Sequence, residues 1–474
     1  VKNGEADLFT VVVDDGKSLI ELAKTEGYRD FLYADIRLEH QLASGVCSAC
    51  QEKTDVVPDP DFPRGSLLKM YITDQPGFIS NIPSDNAKKT KALLKNFPLC
   101  PNCLTHLLIG HQFIITTSSL SSSIYENKLK AFVIPYSRIR AKRIKEWLSL
   151  YEARWAFEAV TKIERDLEEW DEQNYYITII FGSGEQANFR FYGAIREVPL
   201  TRLSLYEREI RQLKSELANC IALEQIESFP KLDMGSLGNL IPLRTAVNRV
   251  VEIEPLFSFF KAILKGEPIP PNVIASTCLT YAKIILYEKM RGYTVKPGKS
   301  RKVGFCTGVI AYKLLDTVIR RMNADMQRIE IPELRELPGH IKEIMNTLGL
   351  VEWQRPLFLL GYVMGEIGAR QIAERAEKGE FPPIIRKISF DGMNRERVVR
   401  LSVEVSEAMK NYGVTGGDAL LAWSYAQLGI QENIVRLNDP VLNVFHILSG
   451  YAYATLLHIG RKKEQAEEVK SDER

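Results

Sequence analysis

The 474-residue sequence predicts an α+β protein, a mixed front half with short strands followed by an all-helical back half. Three observations carry this. Short β-branched and aromatic runs (Leu8–Val13, Ala131–Pro135, Tyr175–Phe181, Ala187–Tyr192) lie before residue 200. Two Cys-x-x-Cys pairs, Cys47 with Cys50 and Cys100 with Cys103, sit among them. From Thr201 onward the pattern is almost wholly helical, broken at Pro230, Gly235–Gly238, Pro268–Pro271, Pro297-Gly298, Pro338-Gly339, Pro382-Pro383 and Gly416-Gly417. A chain of this length holds two to four domains. We place an α+β domain at 1–230, a helical linker domain at 231–340 and a C-terminal helical bundle at 341–474.

In chain order, the strand Leu8–Val13 turns at Asp14-Asp15-Gly16 into a helix expected over Ser18–Arg37. Between the cysteine pairs lies a Pro-, Gly- and Asp-rich stretch (58–65) and a strand-like run, Leu67–Thr73. An uncharged stretch follows Cys103. A long helix is expected over Ser137–Glu172, with Ile144, Trp147, Leu148, Tyr151 and Trp155 at three- and four-residue spacing. Gly182-Ser183-Gly184 reads as the turn of a hairpin, because no lysine and helix start follow as a phosphate loop requires. Val441–Gly460 carries no formal charge over 20 residues, near the length that spans a bilayer. Its Asn443, His446, Ser449 and His458 favour a buried bundle helix.

Two residues between thiols put both sulfurs on one tight knuckle, at adjacent corners of a tetrahedron around Zn²⁺. Two knuckles close a four-thiolate shell, which is structural rather than catalytic zinc. Cys47, Cys50, Cys100 and Cys103 are therefore the expected ligands; chance placement of buried thiols is the alternative. His106 and His111 lie close enough in sequence to substitute, but four thiolates already fill the shell. The other three cysteines, Cys220, Cys278 and Cys306, stand singly, which suits a reducing, cytoplasmic setting. The chain's start carries acids and lacks a basic region followed by an apolar run, so no secretory signal is read there.

The six histidines form neither His-Glu-x-x-His nor any paired metal site. The acid run Glu164–Glu172 sits in a helical charge pattern that marks a solvated face. No nucleophile, base and orienter can be assembled, so a non-catalytic chain is expected. A net charge of +2 leaves affinity for nucleic acid to local patches. Three are candidates: Arg138, Arg140, Lys142, Arg143 and Lys145; the acid-free loop with Arg291, Lys296, Lys299, Arg301 and Lys302; and Arg386, Lys387, Arg395, Arg397 and Arg400. Each is either a solvated cluster or a phosphate contact; the glycines of the second allow close approach of backbone amides to phosphates.

Asn96-Phe97-Pro98-Leu99-Cys100-Pro101-Asn102-Cys103, with Leu107-Leu108-Ile109-Gly110 behind it, resembles the second zinc knuckle of the Csh-type CRISPR-associated large subunit of type I-B Cascade complexes. Gly45-Val46-Cys47-Ser48-Ala49-Cys50 resembles the first knuckle, and the Gly16-Lys17 turn fits ahead of it. Phe358–Gly365 with Gln371 resembles the glycine-bearing helix of the family's C-terminal bundle, and Val398–Leu401 and Lys410-Asn411-Tyr412 agree. The resemblance runs from about residue 10 to 460. Family members carry a longer segment before the first knuckle, so the start at Val1 suggests an N-terminal truncation or a short variant.

The resemblance implies a non-catalytic subunit of an RNA-guided DNA surveillance complex in antiviral defence. Its partners are then guide RNA, target DNA, the backbone, handle-binding and small Cascade subunits, and a helicase-nuclease or, in transposon-associated relatives, a transposition machinery. No membrane is involved. Its roles are to help read the motif beside the target, to stabilise the R-loop and to recruit the effector. The C-terminal bundle resembles a small subunit, which an internal start near Met345 would yield as a separate protein. Two other classes stand beside this one: a zinc-containing nucleic-acid-processing enzyme, favoured by divalent-metal-dependent cleavage, and a helical scaffold or adaptor without nucleic-acid contact.

Overall fold

The computed structural model describes residues 12–14, 16, 19–21, 25–28, 30, 42–60, 62, 66–70, 90, 92–116, 121–126, 128–136, 176–184, 189–218, 231–246, 249–289, 291–295, 300–323, 337–374 and 381–472. The fold is α+β, with short strands in front and helices behind. Contacts divide it into one unit of Val1–Ser121 with Gly182–Tyr192, and a second of Ser122–Phe181 with Gly193–Arg474.

In the first unit, β1 (Val12–Asp14) pairs antiparallel with β2 (Leu19–Glu21). Part of the helix expected over Ser18–Arg37 is therefore a strand. Gly16, at φ +81, turns the chain, and Leu19–Glu21 supplies the ladder partner that β1 needs. Among the described residues of that segment, helix appears only at 26–28 and 30. β3 (Ala43–Val46) and β4 (Lys53–Val56) form a second antiparallel hairpin with the first cysteine pair at its end. Leu67–Met70 is a 3₁₀ turn rather than the expected strand; Leu67 and Leu68 enter the core together, which strand alternation forbids. The uncharged stretch after the second pair is a helix, α1 (Pro101–Thr116), started by Pro101 at its first position.

A four-stranded sheet runs in the order β5 (Ser121–Tyr125), β6 (Leu129–Tyr136), β7 (Tyr176–Gly184), β8 (Phe189–Pro199). Gly182-Ser183-Gly184 belongs to the end of β7 instead of forming the turn, and a Cβ on Gly182 would overlap the Phe189 ring. The helix expected over Ser137–Glu172 lies outside the described residues.

The second unit continues with α2 (Leu200–Ala218), a single turn α3 (Leu237–Leu240), and a two-residue ladder β9 (Thr245–Ala246) with β10 (Arg249–Val250), a small exception to the all-helical expectation. Helices α4 (Glu254–Lys265), α5 (Pro271–Leu286), α6 (Arg301–Asn323), α7 (Gly339–Thr347), α8 (Gln354–Glu374), α9 (Arg395–Asn411), α10 (Gly417–Glu432) and α11 (Pro440–Asp472) follow. Met345 is buried within α7.

The centre of this unit is the pairing of α8 with α11, on which α6 and α5 also pack. The apolar span Pro440–Arg461 is long enough to cross a membrane, but 78% of its apolar window is buried inside the protein. Its polar groups are placed accordingly: Asn443 donates to the carbonyls of Met393 (2.9 Å) and Leu437 (3.1 Å), and the Ser449 hydroxyl to that of Phe445 (2.8 Å). Gln371 accepts from the Ile384 amide at 3.0 Å, fixing the turn at 383–387 on α8.

Arg202, near the start of α2, joins two helix ends. Its guanidinium donates to Ile263 O (3.0 Å) and Ala262 O (3.2 Å) in the last turn of α4, and to Met322 O (3.3 Å) and Asn323 Oδ1 (2.7 Å) at the end of α6. Carbonyls at a helix C-terminus lack intrahelical partners and carry partial negative charge, so one fixed cation satisfies both ends.

Candidate functional site

The two cysteine knuckles are held by one small core. Cys47 follows β3, the Gln51 amide returns to Cys47 O (2.9 Å) and the Cys47 amide donates to Glu52 O (2.9 Å). Gln51 takes φ +65 to close this turn. The second knuckle is tied to the first through its lead-in. The Ser48 amide donates to Pro98 O at 2.8 Å, and Val57 and Leu99 exchange both backbone bonds, at 2.7 and 3.2 Å. Val56, Val57, Phe62, Leu68, Leu99 and Leu104 bury themselves around Cys47 and Cys100. Residues far apart in sequence thereby become one site.

The four sulfurs lie within 4.8 Å of one another, and Cys50 Sγ is 4.0 Å from Cys100 Sγ. Sulfurs at the corners of a tetrahedron with metal–sulfur bonds of 2.3 Å stand about 3.8 Å apart. The donor set thus fits one tetrahedral divalent ion with a soft-ligand preference. Backbone amides already face the sulfurs: Cys100 N donates to Cys47 Sγ (3.3 Å) and Cys103 N to Cys100 Sγ (3.5 Å). Burial opposes ionisation of Cys47, but backbone N–H groups, that of Cys100 foremost, bring its thiol down to about 6. Burial and the neighbouring thiols push Cys103 up to about 12. A bound divalent cation removes this conflict, because it stabilises every thiolate at once. All four places are filled by protein, so the arrangement offers cross-linking and no open position for a substrate.

His106 is exposed on α1, and His111 is buried, with burial lowering its pKa; neither joins the sulfur cluster.

The basic clusters are placed unequally. Arg138, Arg140, Lys142, Arg143 and Lys145 lie outside the described residues, as do Lys296 and Lys299. Of the second cluster, Arg291 is exposed on a turn whose Gly292 adopts φ +88. Arg301 pairs with Glu288 and lies over the Phe381 ring, 5.5 Å from its centroid. The loop is acid-free in sequence, yet the fold brings Glu288 to it. Lys302 is half-buried in the first turn of α6.

In the third cluster Arg386 and Lys387 end the 3₁₀ turn at 383–387, and Arg395, Arg397 and Arg400 line the first two turns of α9. All five are exposed. Lys387 pairs with Glu404 (2.7 Å) and Arg395 with its neighbour Glu396 (2.9 Å). Among the described residues, Arg386, Arg397 and Arg400 have no carboxylate partner, so their donors face water. Asn394 caps α9 by accepting from the Arg397 amide at 3.0 Å, which fixes this helix start.

One polar group in the second unit has no counterpart in the sequence reading. Lys313, Asp316 and Arg320 lie along one side of α6, with Asp316 Oδ2 accepting from Lys313 Nζ (2.8 Å) and Arg320 Nη2 (2.9 Å). The spacing i, i+3, i+7 within the long buried stretch of α6 was its only signal.

The fold thus presents a unit that gathers four cysteines into a candidate metal site and a second, mainly helical unit with exposed arginines at the start of α9. Two family models then match in order: the central domain of CRISPR-associated protein TM1802 over residues 44–198, and the C-terminal domain of the same protein over 232–465. The first contains all four cysteines, and the second contains α3 to α10 and most of α11. The chain belongs to the CRISPR-associated TM1802 family. No curated protein matches it.

Proposed function

We propose that this chain is the non-catalytic large subunit of a type I-B Cascade-like complex, an RNA-guided DNA surveillance assembly of antiviral defence. The observation that carries the proposal is the ordered match of both TM1802 domains. Two features support the finer reading. The four-thiolate site is closed, as structural zinc requires. Exposed arginines on α9 and its preceding turn, without a carboxylate partner among the described residues, offer donors to a phosphate backbone without sequence preference.

In this reading the zinc shapes the front unit, and the basic positions hold guide, target or displaced strand. The subunit works in the cytoplasm beside the backbone, handle-binding and small subunits, helps read the target-adjacent motif, and presents a surface to a helicase-nuclease or a transposition machinery. Co-expression with the neighbouring Cascade proteins and a guide RNA tests this. Recovery of the chain in a stoichiometric ribonucleoprotein that binds target duplex is the expected result. A chain that purifies alone and cleaves nucleic acid with added Mg²⁺ or Mn²⁺ overturns it in favour of an enzyme.

A further inference from the structure

Three helices begin around one small cavity in the second unit. Pro271 opens α5, Gln354 opens α8, and Leu442 lies in the first turn of α11; with Asp316, Arg320, Phe445 and His446 they line about 40 Å³. That is room for a monatomic ion or ordered water, and too little for an organic ligand. His446 is 1% exposed, faces this space, and neither of its ring nitrogens has a hydrogen-bond partner in the protein. A buried imidazole with both nitrogens unused points to something bound beside it.

Charge selects the occupant. Lys313 and Arg320 both bind the same oxygen of Asp316, so two cations face one carboxylate and the group carries one formal positive charge. Arg320 also donates to the carbonyls of Asp316 (3.3 Å), Gly349 (3.3 Å) and Leu348 (3.4 Å), which leaves one Nη1 N–H for the cavity. Lys313 is fully buried, and Asp316 is nearly so. Burial lowers the Lys313 ammonium to about 8, while its 2.8 Å bond to Asp316 Oδ2 favours the charged form. Burial and the nearby Lys313 hold His446 neutral, with one N–H to donate. Helix N-termini add positive potential. The start of α11 adds least, because Asp439 Oδ1 already accepts from the Val441 and Leu442 amides at 3.0 Å each. A cation is repelled here, and water leaves the excess charge in place.

We propose that this cavity binds one small monovalent anion of halide size, held by Arg320, the His446 N–H and the helix starts. The anion neutralises the Lys313–Asp316–Arg320 group and ties the beginnings of α5, α8 and α11 to α6. Binding is a property of the native state alone, so chloride raises stability with a saturable dependence.

The test is thermal unfolding of the whole chain in chloride against gluconate at constant ionic strength. The expected result is a melting temperature that rises about 1–2 °C per tenfold increase in chloride above the dissociation constant. Bromide should substitute for chloride, and Lys313→Met, which removes the excess charge, should flatten the dependence. Crystals of the unaltered protein grown in bromide provide a direct reading that does not depend on a variant folding. An anomalous peak beside His446 is expected. Equal melting in chloride and gluconate, an undiminished chloride effect in Lys313→Met, or water alone in the bromide crystals overturns the proposal.

Discussion

Gly361 and Gly450 form the two halves of one helix crossing. A Cβ on Gly361 would overlap the Ile447 carbonyl of α11, and a Cβ on Gly450 would overlap the Phe358 carbonyl of α8. One turn along, a Cβ on Gly365 would stand 2.6 Å from Ala454 Cβ and 2.9 Å from Tyr451 O. Small residues thus let α8 and α11, the pair at the centre of the second unit, meet backbone to backbone.

Gly361→Ala and Gly450→Ala should each cost about 2–4 kcal/mol, because backbone cannot move aside as a flexible side chain does. Gly110→Ala provides the contrast: it lies in helix α1 with open space around it, and alanine there should be neutral or favourable by up to about 1 kcal/mol. Urea unfolding of the three variants measures the difference.

Removing a metal ligand should act on the first unit alone. Cys100→Ser should lose stoichiometric zinc and expose Val57, Leu99 and Leu104, since Cys100 sits in the same core as these residues. Elemental analysis gives the metal content, and proteolysis of the front segment reports the opening. Replacement of zinc by cobalt should give the intense tetrahedral thiolate absorption that Cys100→Ser abolishes.

The buried ionic group should respond asymmetrically. Asp316→Asn leaves two cations without an anion and should cost about 3–5 kcal/mol at pH 7. Lys313→Met leaves Asp316 with Arg320 and should fall within about 1 kcal/mol of the unaltered protein, or above it. The pH dependence has a definite sign. Burial brings Lys313 down to about 8 from 10.5, so between those values the unfolded chain holds a proton that the folded chain has released, and stability from this residue rises with pH. Asp316 behaves in the opposite range. Burial works against its charge, but Lys313 and Arg320 prevail and hold it near 2, so its stabilisation is complete above about pH 4 and lost toward pH 2. Unfolding free energies of Lys313→Met should lack the rise between pH 8 and 10.5.

Phosphate contact by α9 is tested by charge. Reversal of Arg397 and Arg400 to Glu should weaken target-DNA binding by the assembled complex and reduce its logarithmic salt slope by about 2, roughly one for each lost contact. Arg301→Gln should do less, because Glu288 already neutralises that guanidinium. Unchanged binding in the double reversal would show that α9 touches no phosphate.

The site was more legible than the framework around it. Cys-x-x-Cys spacing is a local signal, and two copies named all four sulfurs that the fold collects. The helical back half was legible from periodicity, and Val441–Gly460 from polar residues, of which Asn443 and Ser449 make interior bonds. Pairing partners were less so. Leu19–Glu21 has helix-compatible residues and becomes a strand only because β1 lies beside it. The charge at Arg301 looked free because Glu288 stands 13 residues earlier, before the break between α5 and α6. Lys313, Asp316 and Arg320 were invisible as a group because burial, which gives them meaning, depends on α5, α8 and α11 closing over α6.

The central claim is that this chain serves RNA-guided DNA opening without cutting. The most direct measurement is permanganate footprinting of a target duplex by the complete guide-loaded complex, with and without this subunit and before any nuclease is added. Strand opening at the guide-matched target is expected only when the subunit is present, with both strands left intact. Opening of equal extent without it, or cleavage by the complex before a nuclease is supplied, would contradict the account.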